Sequence, residues 1–294
     1  MRRRFEIPGD AVFPEGITEG PGTTFFLGSL TDGTIYRGDT STGKVEVFLP
    51  PDGDGRDTIC GMDIDNYGRL ISCDFEGGRL FVHDLASRTL VARREMPGGE
   101  SGPNDVVVVG DTAFITDSKC QVVWRLPAGP DEIGEPEVAV DLSGQYEGMG
   151  SAFLNGIVAR PGGTQLLVAA QRDGRLWRID LATMSAAQVD LGGYNFNADG
   201  MLLDGDVLYG VTNRGKGWAE VRVMISVLRL DHDWRSGRVL GELTDPDWDS
   251  PTTIAAVDGQ LLVLCAQIRA RNLNTPPSLP FVVAAMDMPS WPDS

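Results

Sequence analysis

A sixfold repeat constrains this chain more strongly than any other feature of its sequence. In each repeat a polar or small residue is followed by Gly or another small residue, an apolar run, a Gly/Asp turn and a second apolar run. The repeats open at Glu15, Cys60, Asn104, Asn155, Asp199 and Thr252. These openings are 45, 44, 51, 44 and 53 residues apart, close to the ~40–50 residues of a propeller blade. The repeat therefore predicts an all-β fold, a six-bladed β-propeller of four-stranded antiparallel blades.

The repeat that opens at Asn155 shows the expected anatomy of one blade. Gly and Asp turns divide it into predicted strands at Gly156–Arg160, Leu166–Gln171, Arg175–Leu181 and Ala187–Leu191. The sixth repeat is one strand short, whereas Arg3–Ile7 precedes the first repeat. We therefore expect this N-terminal strand to complete the sixth blade and close the ring, which removes exposed sheet edges. Residues 1–294 then form a single propeller domain.

Two columns of polar residues are expected at one end of the central channel. The innermost strands of a propeller line its axis, so the six residues that open the repeats should lie at one end of it. The second strand of each blade runs back to the same face and ends at Ser29, Asp74, Asp117, Gln171, Asn213 and Gln267. Asp117, Gln171 and Asn213 are candidates for substrate contact, although the capping of strand ends explains such residues equally well.

Three longer connections are predicted to emerge on the same face. They are Ser143–Phe153, Arg214–Glu220 and Ile268–Pro280. Loops on a rigid scaffold commonly carry recognition, so we expect these three to shape the substrate site.

The first polar column predicts a metal site. It contains two carboxylates and two carboxamides, and carboxylates this close cannot both stay ionised unless a cation lies between them. Oxygen ligands of this kind suit Ca²⁺, Mg²⁺ or Mn²⁺, and a site with carboxylates also takes Zn²⁺, so the residues leave the metal open. Three or four protein ligands leave room for water and a substrate oxygen, as in catalytic metal sites.

Four of the openings carry short motifs in order along the chain. They are Phe13-Pro14-Glu15-Gly16-Ile17, Pro103-Asn104-Asp105-Val106, Leu154-Asn155-Gly156-Ile157 and Ala198-Asp199-Gly200-Met201. At blade spacing, these motifs resemble the SMP-30/gluconolactonase/luciferin-regenerating-like family of six-bladed propellers, and the resemblance spans essentially the whole chain.

This resemblance implies a site and a reaction. It implies one divalent metal ion, held by Glu15, Asn155 and Asp199, and Ca²⁺ is the ion that we expect, with Zn²⁺, Mn²⁺ or Mg²⁺ as alternatives. It implies that Asn104 contacts the substrate or the outer shell of the metal. It also implies that Asp199 serves as the catalytic general base in the hydrolysis of a lactone.

One position departs from the family pattern. Sugar-lactone members carry an Arg two residues before the Asn of the second motif, where this chain has Gly102. The departure favours an uncharged or more apolar cyclic ester over a sugar acid lactone. His83 and His232 are the two histidines of the chain, and neither opens a repeat, which argues against paraoxonase-like members with a His near the metal.

Three classes of function follow. The first is a divalent-metal-dependent hydrolase of a lactone or related cyclic ester. The alternative is a non-hydrolytic natural-product tailoring enzyme that carries out condensation, cyclisation or isomerisation on the same metal-centred propeller. The third is a binding propeller without catalysis, which the presence of both carboxylates disfavours.

Charge and composition limit the partners and the location. The 42 Asp and Glu outnumber the 25 Lys and Arg, for a net charge of −17, which argues against nucleic acid and leaves a small-molecule substrate. No apolar run approaches the ~20 residues of a membrane helix, and no apolar segment follows the basic start, so we expect no membrane contact and a cytoplasmic protein. Four Cys without CxxC spacing predict neither disulfides nor a structural zinc. The sequence does not indicate an oligomeric state.

Overall fold

Six four-stranded antiparallel sheets are formed by residues 3–51, 53–215 and 217–292, the part of the chain that this computed structural model describes. The N-terminal strand is β1 (Arg3–Ile7), and blade one follows as β2 (Pro14–Glu19), β3 (Thr24–Ser29), β4 (Ile35–Asp39) and β5 (Lys44–Leu49). Blade two consists of β6 (Ile59–Ile64), β7 (Arg69–Asp74), β8 (Arg79–Asp84) and β9 (Leu90–Glu95). Blade three consists of β10 (Pro103–Val109), β11 (Thr112–Asp117), β12 (Val122–Pro127) and β13 (Glu137–Asp141).

The second half of the chain repeats this order. Blade four consists of β14 (Leu154–Ala159), β15 (Gln165–Ala170), β16 (Arg175–Asp180) and β17 (Ser185–Gln188). Blade five consists of β18 (Ala198–Asp204), β19 (Val207–Arg214), β20 (Arg222–Leu230) and β21 (Gly237–Leu243). Blade six contains β22 (Ile254–Val257), β23 (Gln260–Cys265) and β24 (Phe281–Asp287), and a short helix, α1 (Ile268–Asn272), lies between its last two strands. No helix in these described ranges is long and apolar enough to cross a membrane.

The N-terminal strand closes the ring as the sequence predicts. β1 pairs antiparallel with β24, from Arg3 opposite Ala285 to Ile7 opposite Phe281. The inner strand of blade six, β22, contacts the inner strands of its two neighbours, β18 and β2. The all-β, six-bladed propeller prediction is therefore confirmed.

Burial explains why the strands of one blade differ in sequence. The second strand lies between two others and is covered by neighbouring blades, so all six residues of β3 and of β7 are buried. Apolar residues fill the middle of such strands, as in strands covered on both faces in other folds. The outer strand β9 is mostly exposed and ends in the charged residues Arg93, Arg94 and Glu95.

The hydrophobic core consists of six clusters, each between two neighbouring blades of the described chain. The cluster that joins blades six and one contains Phe5, Phe25, Leu264 and Phe281, all at most 1% exposed. Phe5 and Phe25 pack edge to face with ring centroids 5.6 Å apart. Because each fully buried Leu or Phe side chain contributes ~1.5–3 kcal/mol, these clusters hold the blades around the axis and fix the positions of the inner strands.

The outer strand of blade four differs from the prediction. It runs from Ser185 to Gln188, so it begins two residues before and ends three residues before the predicted Ala187–Leu191 segment. The chain then leaves blade four, because the backbone of Asp190 bonds to blade five: its N–H donates to the Arg235 carbonyl at 2.9 Å and its carbonyl accepts from Gly237 N–H at 2.9 Å. Hydrogen bonding to a neighbouring blade thus overrides the local strand pattern.

Candidate active site

A β-bulge lies at the repeat opening in five of the six described inner strands. The pairing of β2 with β3 shifts between Pro14 and Ile17, so Glu15 and Gly16 lie outside the regular ladder. The same shift occurs at the start of β6, β10, β14 and β18. A bulge bends the strand and re-aims its side chains, and bulges are common next to active sites. The motifs found in the sequence are therefore these bulges.

The bulges of consecutive blades pack backbone against backbone around the axis. A Cβ on Gly16 would lie 2.1 Å from the Cys60 carbonyl oxygen, and a Cβ on Gly156 would lie 2.3 Å from that of Asp199. Only glycine permits such an approach. Blade six has no glycine here, and the Thr252 and Thr253 hydroxyls instead both donate to the Glu15 carbonyl at 2.7 Å. The six openings thus form a closed ring, which places the first polar column around the channel.

Asn155 and Asp199 are in direct contact within this ring. Asn155 Nδ2 donates to Asp199 Oδ1 at 2.8 Å and to Gln171 Oε1 at 3.1 Å. Gln171 also hydrogen-bonds the Asp199 carboxylate. Asn155 and Asp199 of the first column and Gln171 of the second therefore meet at the same end of the channel. Blade four supplies Asn155 and Gln171, and blade five supplies Asp199.

Glu15 belongs to the same cluster by its electrostatics. Burial is the largest influence on Glu15 and raises the pKa of its carboxyl well above the usual range, and the negative charges of Asp199 and Asp105 raise it further. A hydrogen bond with the Cys60 side chain lowers this pKa. Glu15, Asp199 and Cys60 therefore share one buried environment, as predicted for members of one column.

Burial also dominates the electrostatics of Asp199. It raises the pKa of Asp199 to about 7, while the hydrogen bonds from Asn155 and Gln171 lower it and the charge of Asp105 raises it. Within the described ranges neither Glu15 nor Asp199 forms an ion pair with a Lys, Arg or His. Neither carboxyl of the ring is thus neutralised by a cation of the described chain.

The donor set of Glu15, Asn155 and Asp199 fits a hard divalent cation. Because Asn155 uses its amide nitrogen toward Asp199, its Oδ1 is left without a hydrogen bond from any described residue and is free to be a ligand. Two carboxylates and one amide oxygen are ligands typical of Ca²⁺, Mg²⁺ and Mn²⁺. No three His, Cys, Asp or Glu of the described chain are grouped to hold a metal, but the predicted site has only two such residues and an amide as its third.

The other predicted substrate-binding residues differ in their surroundings. Asn104 is buried, and its Nδ2 donates to Ser118 Oγ at 3.0 Å. Asn213 Oδ1 accepts from Asn197 Nδ2 at 2.9 Å, so a neighbouring amide holds it. Asn104 and Gln171 are therefore the two predicted substrate contacts whose placement the structure ties to the ring.

Asp117 lies outside this cluster. It is completely buried, and its carboxylate accepts from the backbone N–H groups of Gly102 and Lys119 at 3.1 and 3.0 Å and from Trp124 Nε1 at 3.0 Å. The Ser101 hydroxyl and the Cys120 N–H also donate to it. With both oxygens occupied, Asp117 fastens the turn after β11 and has no oxygen left for a substrate.

Asp105 is an acidic residue beside the polar ring that sequence reasoning missed. Its Oδ1 accepts from Val106 N–H at 2.9 Å and its Oδ2 from Ile157 N–H at 3.2 Å, and burial raises its pKa to about 7. Its charge raises the pKa of both site carboxyls. A signal was present, because Asp105 occupies the second position of a repeat where four other repeats have Gly and one has Thr.

The third position of each repeat lies below the polar ring. It is apolar in all six repeats and buried in all six, at Ile17, Met62, Val106, Ile157, Met201 and Ile254. These residues line a cavity of about 170 Å³ at the other end of the channel. An apolar collar thus lies between the polar ring and the end of the channel that carries this cavity.

No family model and no curated protein matches the chain, but solved structures share its fold. A streptogramin B lyase superposes with a TM-score of 0.68 at 13% identity, over 97% of this chain and 96% of that chain. Virginiamycin B lyase from Staphylococcus aureus gives 0.65 at 14% identity, over 90% and 81%. The allergen Mala s 1 of Malassezia sympodialis gives 0.68 at 14% identity, over 97% and 95%.

At these identities the likeness is one of fold. The neighbours include two lyases and an allergen. The resemblance to the SMP-30/gluconolactonase family stays a prediction that depends on the repeat motifs.

Proposed function

We propose that this protein is a divalent-metal-dependent hydrolase of a lactone or a related cyclic ester, with Asp199 as its general base. The observation that carries the proposal is that Asn155 contacts Asp199 and that the charge of Asp199 raises the pKa of Glu15, while no described cation pairs with either carboxyl. A buried pair of carboxylates is costly unless a cation compensates it. A bound metal ion removes that cost and explains why such a pair is present.

Glu15, Asn155 and Asp199 would hold the ion, through two carboxylates and the free amide oxygen. When bound, a divalent ion in such a site polarises an ester carbonyl and makes water more acidic, which is worth several kcal/mol of the barrier. Asn155 then has two roles, since its Nδ2 also holds the Asp199 carboxylate at 2.8 Å. Gln171 restrains Asp199 from a second side, so the base is fixed in orientation before substrate arrives.

The reaction is a balanced addition of water. The water oxygen forms a bond to the ester carbonyl carbon while Asp199 accepts a water proton. The bond between that carbon and the ring oxygen then breaks, and Asp199 returns the proton to the departing ring oxygen. The product is an open-chain hydroxy acid, and the carboxyl of Asp199 ends in its starting state.

Asn104 is proposed to orient the ester. Its Nδ2 is fixed by Ser118 Oγ, whose own hydroxyl donates to the Leu154 carbonyl at 2.6 Å. Its Oδ1 accepts no hydrogen bond from the described residues and is left for a substrate hydroxyl. Asn213 is a more distant contact on the same face.

A non-hydrolytic reaction is the second candidate, because two neighbours in fold are lyases. A further structure with this fold is a catalytically inactive histidine-to-alanine variant of virginiamycin B lyase with quinupristin. In this chain His83 is buried against Asp54 and Arg56 in blade two, and the carbonyl of His232 accepts from Arg160 away from the polar ring. No described histidine therefore reaches the proposed site, which favours hydrolysis.

A panel of simple lactones tests the proposal and separates the two candidates. Metal-loaded protein is incubated with each lactone in isotopically labelled water, before and after treatment with a chelator. Hydrolysis incorporates one labelled oxygen into the product carboxylate, and the chelator should abolish it until metal is restored. An elimination gives an unsaturated product without label. Hydrolysis that persists after complete metal removal, or inertness toward every lactone, would overturn the proposal.

A further inference from the structure

Four side chains form a continuous row beside the polar ring. The Lys119 ammonium lies 4.8 Å from the ring centroid of Phe75, and the Phe75 and Phe153 centroids are 6.1 Å apart. The Arg172 guanidinium lies 5.1 Å from the centroid of Phe153. We call these four residues the mouth cluster. It has a cation at each end and two aromatic rings between them.

The mouth cluster lies on the face from which the polar ring is reached. Phe75 and Arg172 directly follow Asp74 and Gln171 of the second polar column, and Phe153 comes two residues before Asn155. Phe75 belongs to blade two and Phe153 to blade four, so their contact extends past blade three at this end of the channel. A substrate that reaches Asn155 and Asp199 from this face therefore passes the mouth cluster.

Gly102 makes room for one of the two cations. A Cβ at position 102 would lie 2.9 to 3.1 Å from Cγ, Cδ and Cε of Lys119, so any larger residue would displace that side chain. The carboxylate of Asp117 accepts from the N–H groups of both Gly102 and Lys119 and holds the two together. Gly102 suggested an uncharged substrate when the sequence was considered alone. In the structure it is covered by Lys119 from the turn after β11.

Neither cation of the mouth cluster is neutralised. Lys119 and Arg172 form no ion pair within the described chain, although Asp and Glu number 42 in the sequence. Arg172 Nη1 donates to the Gly150 carbonyl at 2.7 Å, which fixes the guanidinium and leaves its other donors free. In so acidic a protein, two unpaired cations beside a candidate active site are a local reversal of charge that favours an anionic ligand.

We propose that the mouth cluster binds a carboxylate on the substrate, so that the substrate class is a cyclic ester with a free carboxylate next to an apolar or aromatic portion. Lys119 pairs with the carboxylate, the rings of Phe75 and Phe153 cover the apolar portion, and the Arg172 guanidinium at the far end of the row adds a longer-range attraction. The reaction on this substrate rests on the proposed function, whereas the carboxylate binding does not. One ammonium and one partly engaged guanidinium suit a monoanion better than a phosphate, which is usually bound by several N–H groups.

The first test compares two substrates on matched variants. The substrates are a γ-butyrolactone with a carboxylate on its ring and the primary amide of the same compound. Lys119→Met keeps the apolar stem and removes the charge, and Lys44→Met does the same on the exposed outer strand of blade one. The ratio of kcat/KM for the carboxylate to that for the amide should fall about tenfold in Lys119→Met, through KM. Lys44→Met should keep the wild-type ratio.

The second test measures binding without turnover. A cyclic ether carboxylate that lacks the ester carbonyl is titrated calorimetrically into wild-type protein, Lys119→Met and Arg172→Met. Lys119→Met should bind about tenfold more weakly than wild type and Arg172→Met about twofold more weakly, and rising ionic strength should weaken the wild-type complex. Thermal unfolding of each variant shows whether it is folded.

The outcomes distinguish this inference from the proposed function. Carboxylate binding that depends on Lys119 in a protein that hydrolyses no lactone would support the mouth cluster and overturn the hydrolase. Lactone hydrolysis with equal carboxylate and amide selectivity in wild type and Lys119→Met would support the hydrolase and overturn the mouth cluster. Equal affinity of all three proteins for the ether carboxylate would also overturn it.

Discussion

The channel has buried and half-buried carboxylates toward both of its ends, and their hydrogen bonds differ in kind. Asp63 accepts from Ile64 N–H at 2.8 Å and from Val108 N–H of the next blade at 2.7 Å. Asp105 repeats this arrangement one blade further on, with Val106 and Ile157. Each of these carboxylates joins two consecutive inner strands through backbone donors.

The carboxylates of the polar ring have side-chain partners instead. Asp199 accepts from Asn155 and Gln171, and Glu15 has a hydrogen bond with Cys60. Backbone donors are fixed by the fold and cannot be exchanged, whereas side-chain amides can rotate toward a ligand. Burial of an acid therefore does not by itself identify a ligand-binding site. An acid identifies such a site when its hydrogen-bond partners are side chains that can also bind the ligand.

The largest predicted difference between the carboxylates of the polar ring and those held by backbone donors is the effect of Asp199 on catalysis. Asp199→Asn removes the general base and should lower kcat on a lactone by about 10³-fold, within the ~10²–10⁴ typical of such a group. Asp204→Asn is the matched control, because Asp204 ends the same strand, β18, and is exposed. Steady-state kinetics of both variants measure the effect. If Asp199→Asn turned over at the rate of Asp204→Asn, Asp199 would have no role as a base.

A smaller effect is expected from Asp63 on stability. Burial raises its pKa to about 6, against hydrogen bonds from Val108 and Ile64 that lower it. A carboxyl with a folded pKa above its unfolded value stabilises the fold below the unfolded pKa, and that contribution is lost as the pH rises through about 6. The change is on the order of 3 kcal/mol at most.

This pH effect is measured against a variant that lacks the carboxyl. Urea unfolding of chelator-treated wild type and Asp63→Asn is followed from about pH 4 to pH 7. The free energy of unfolding of the wild type should fall relative to that of the variant across this range. If the difference in the free energy of unfolding between wild type and Asp63→Asn stayed constant with pH, Asp63 would have an ordinary pKa. Its backbone donors would then compensate its burial completely.

The repeat made most of the fold and part of the site predictable. Blade spacing placed Glu15, Asn155 and Asp199 in equivalent positions of three inner strands, and equivalent positions of a propeller meet at its axis. The closing strand at Arg3–Ile7 followed from a sixth repeat that was one strand short. Both predictions depended on periodicity, which is written in the sequence directly.

The remaining features depend on contacts that periodicity does not specify. Asp117 occupies a polar column position, but a local turn takes up both of its oxygens. The meeting of Phe75 with Phe153 depends on where two loops from non-adjacent blades settle. Likewise, Gly102 stands where sugar-lactone members have an Arg, which suggested the loss of a cation. The sequence does not show that Lys119 lies over this position.

Equilibrium dialysis with elemental analysis tests the central claim most directly. Chelator-treated protein is dialysed against Ca²⁺, Mg²⁺, Mn²⁺ and Zn²⁺ in turn, and the metal bound per chain is measured for wild type, Glu15→Gln and Glu19→Gln. Glu15 and Glu19 lie on the same strand, β2, and only the first belongs to the polar ring. Wild type and Glu19→Gln should each retain about one equivalent of at least one of these ions, and Glu15→Gln should lose it. Absence of bound metal in wild type, or equal binding by Glu15→Gln, would contradict the account.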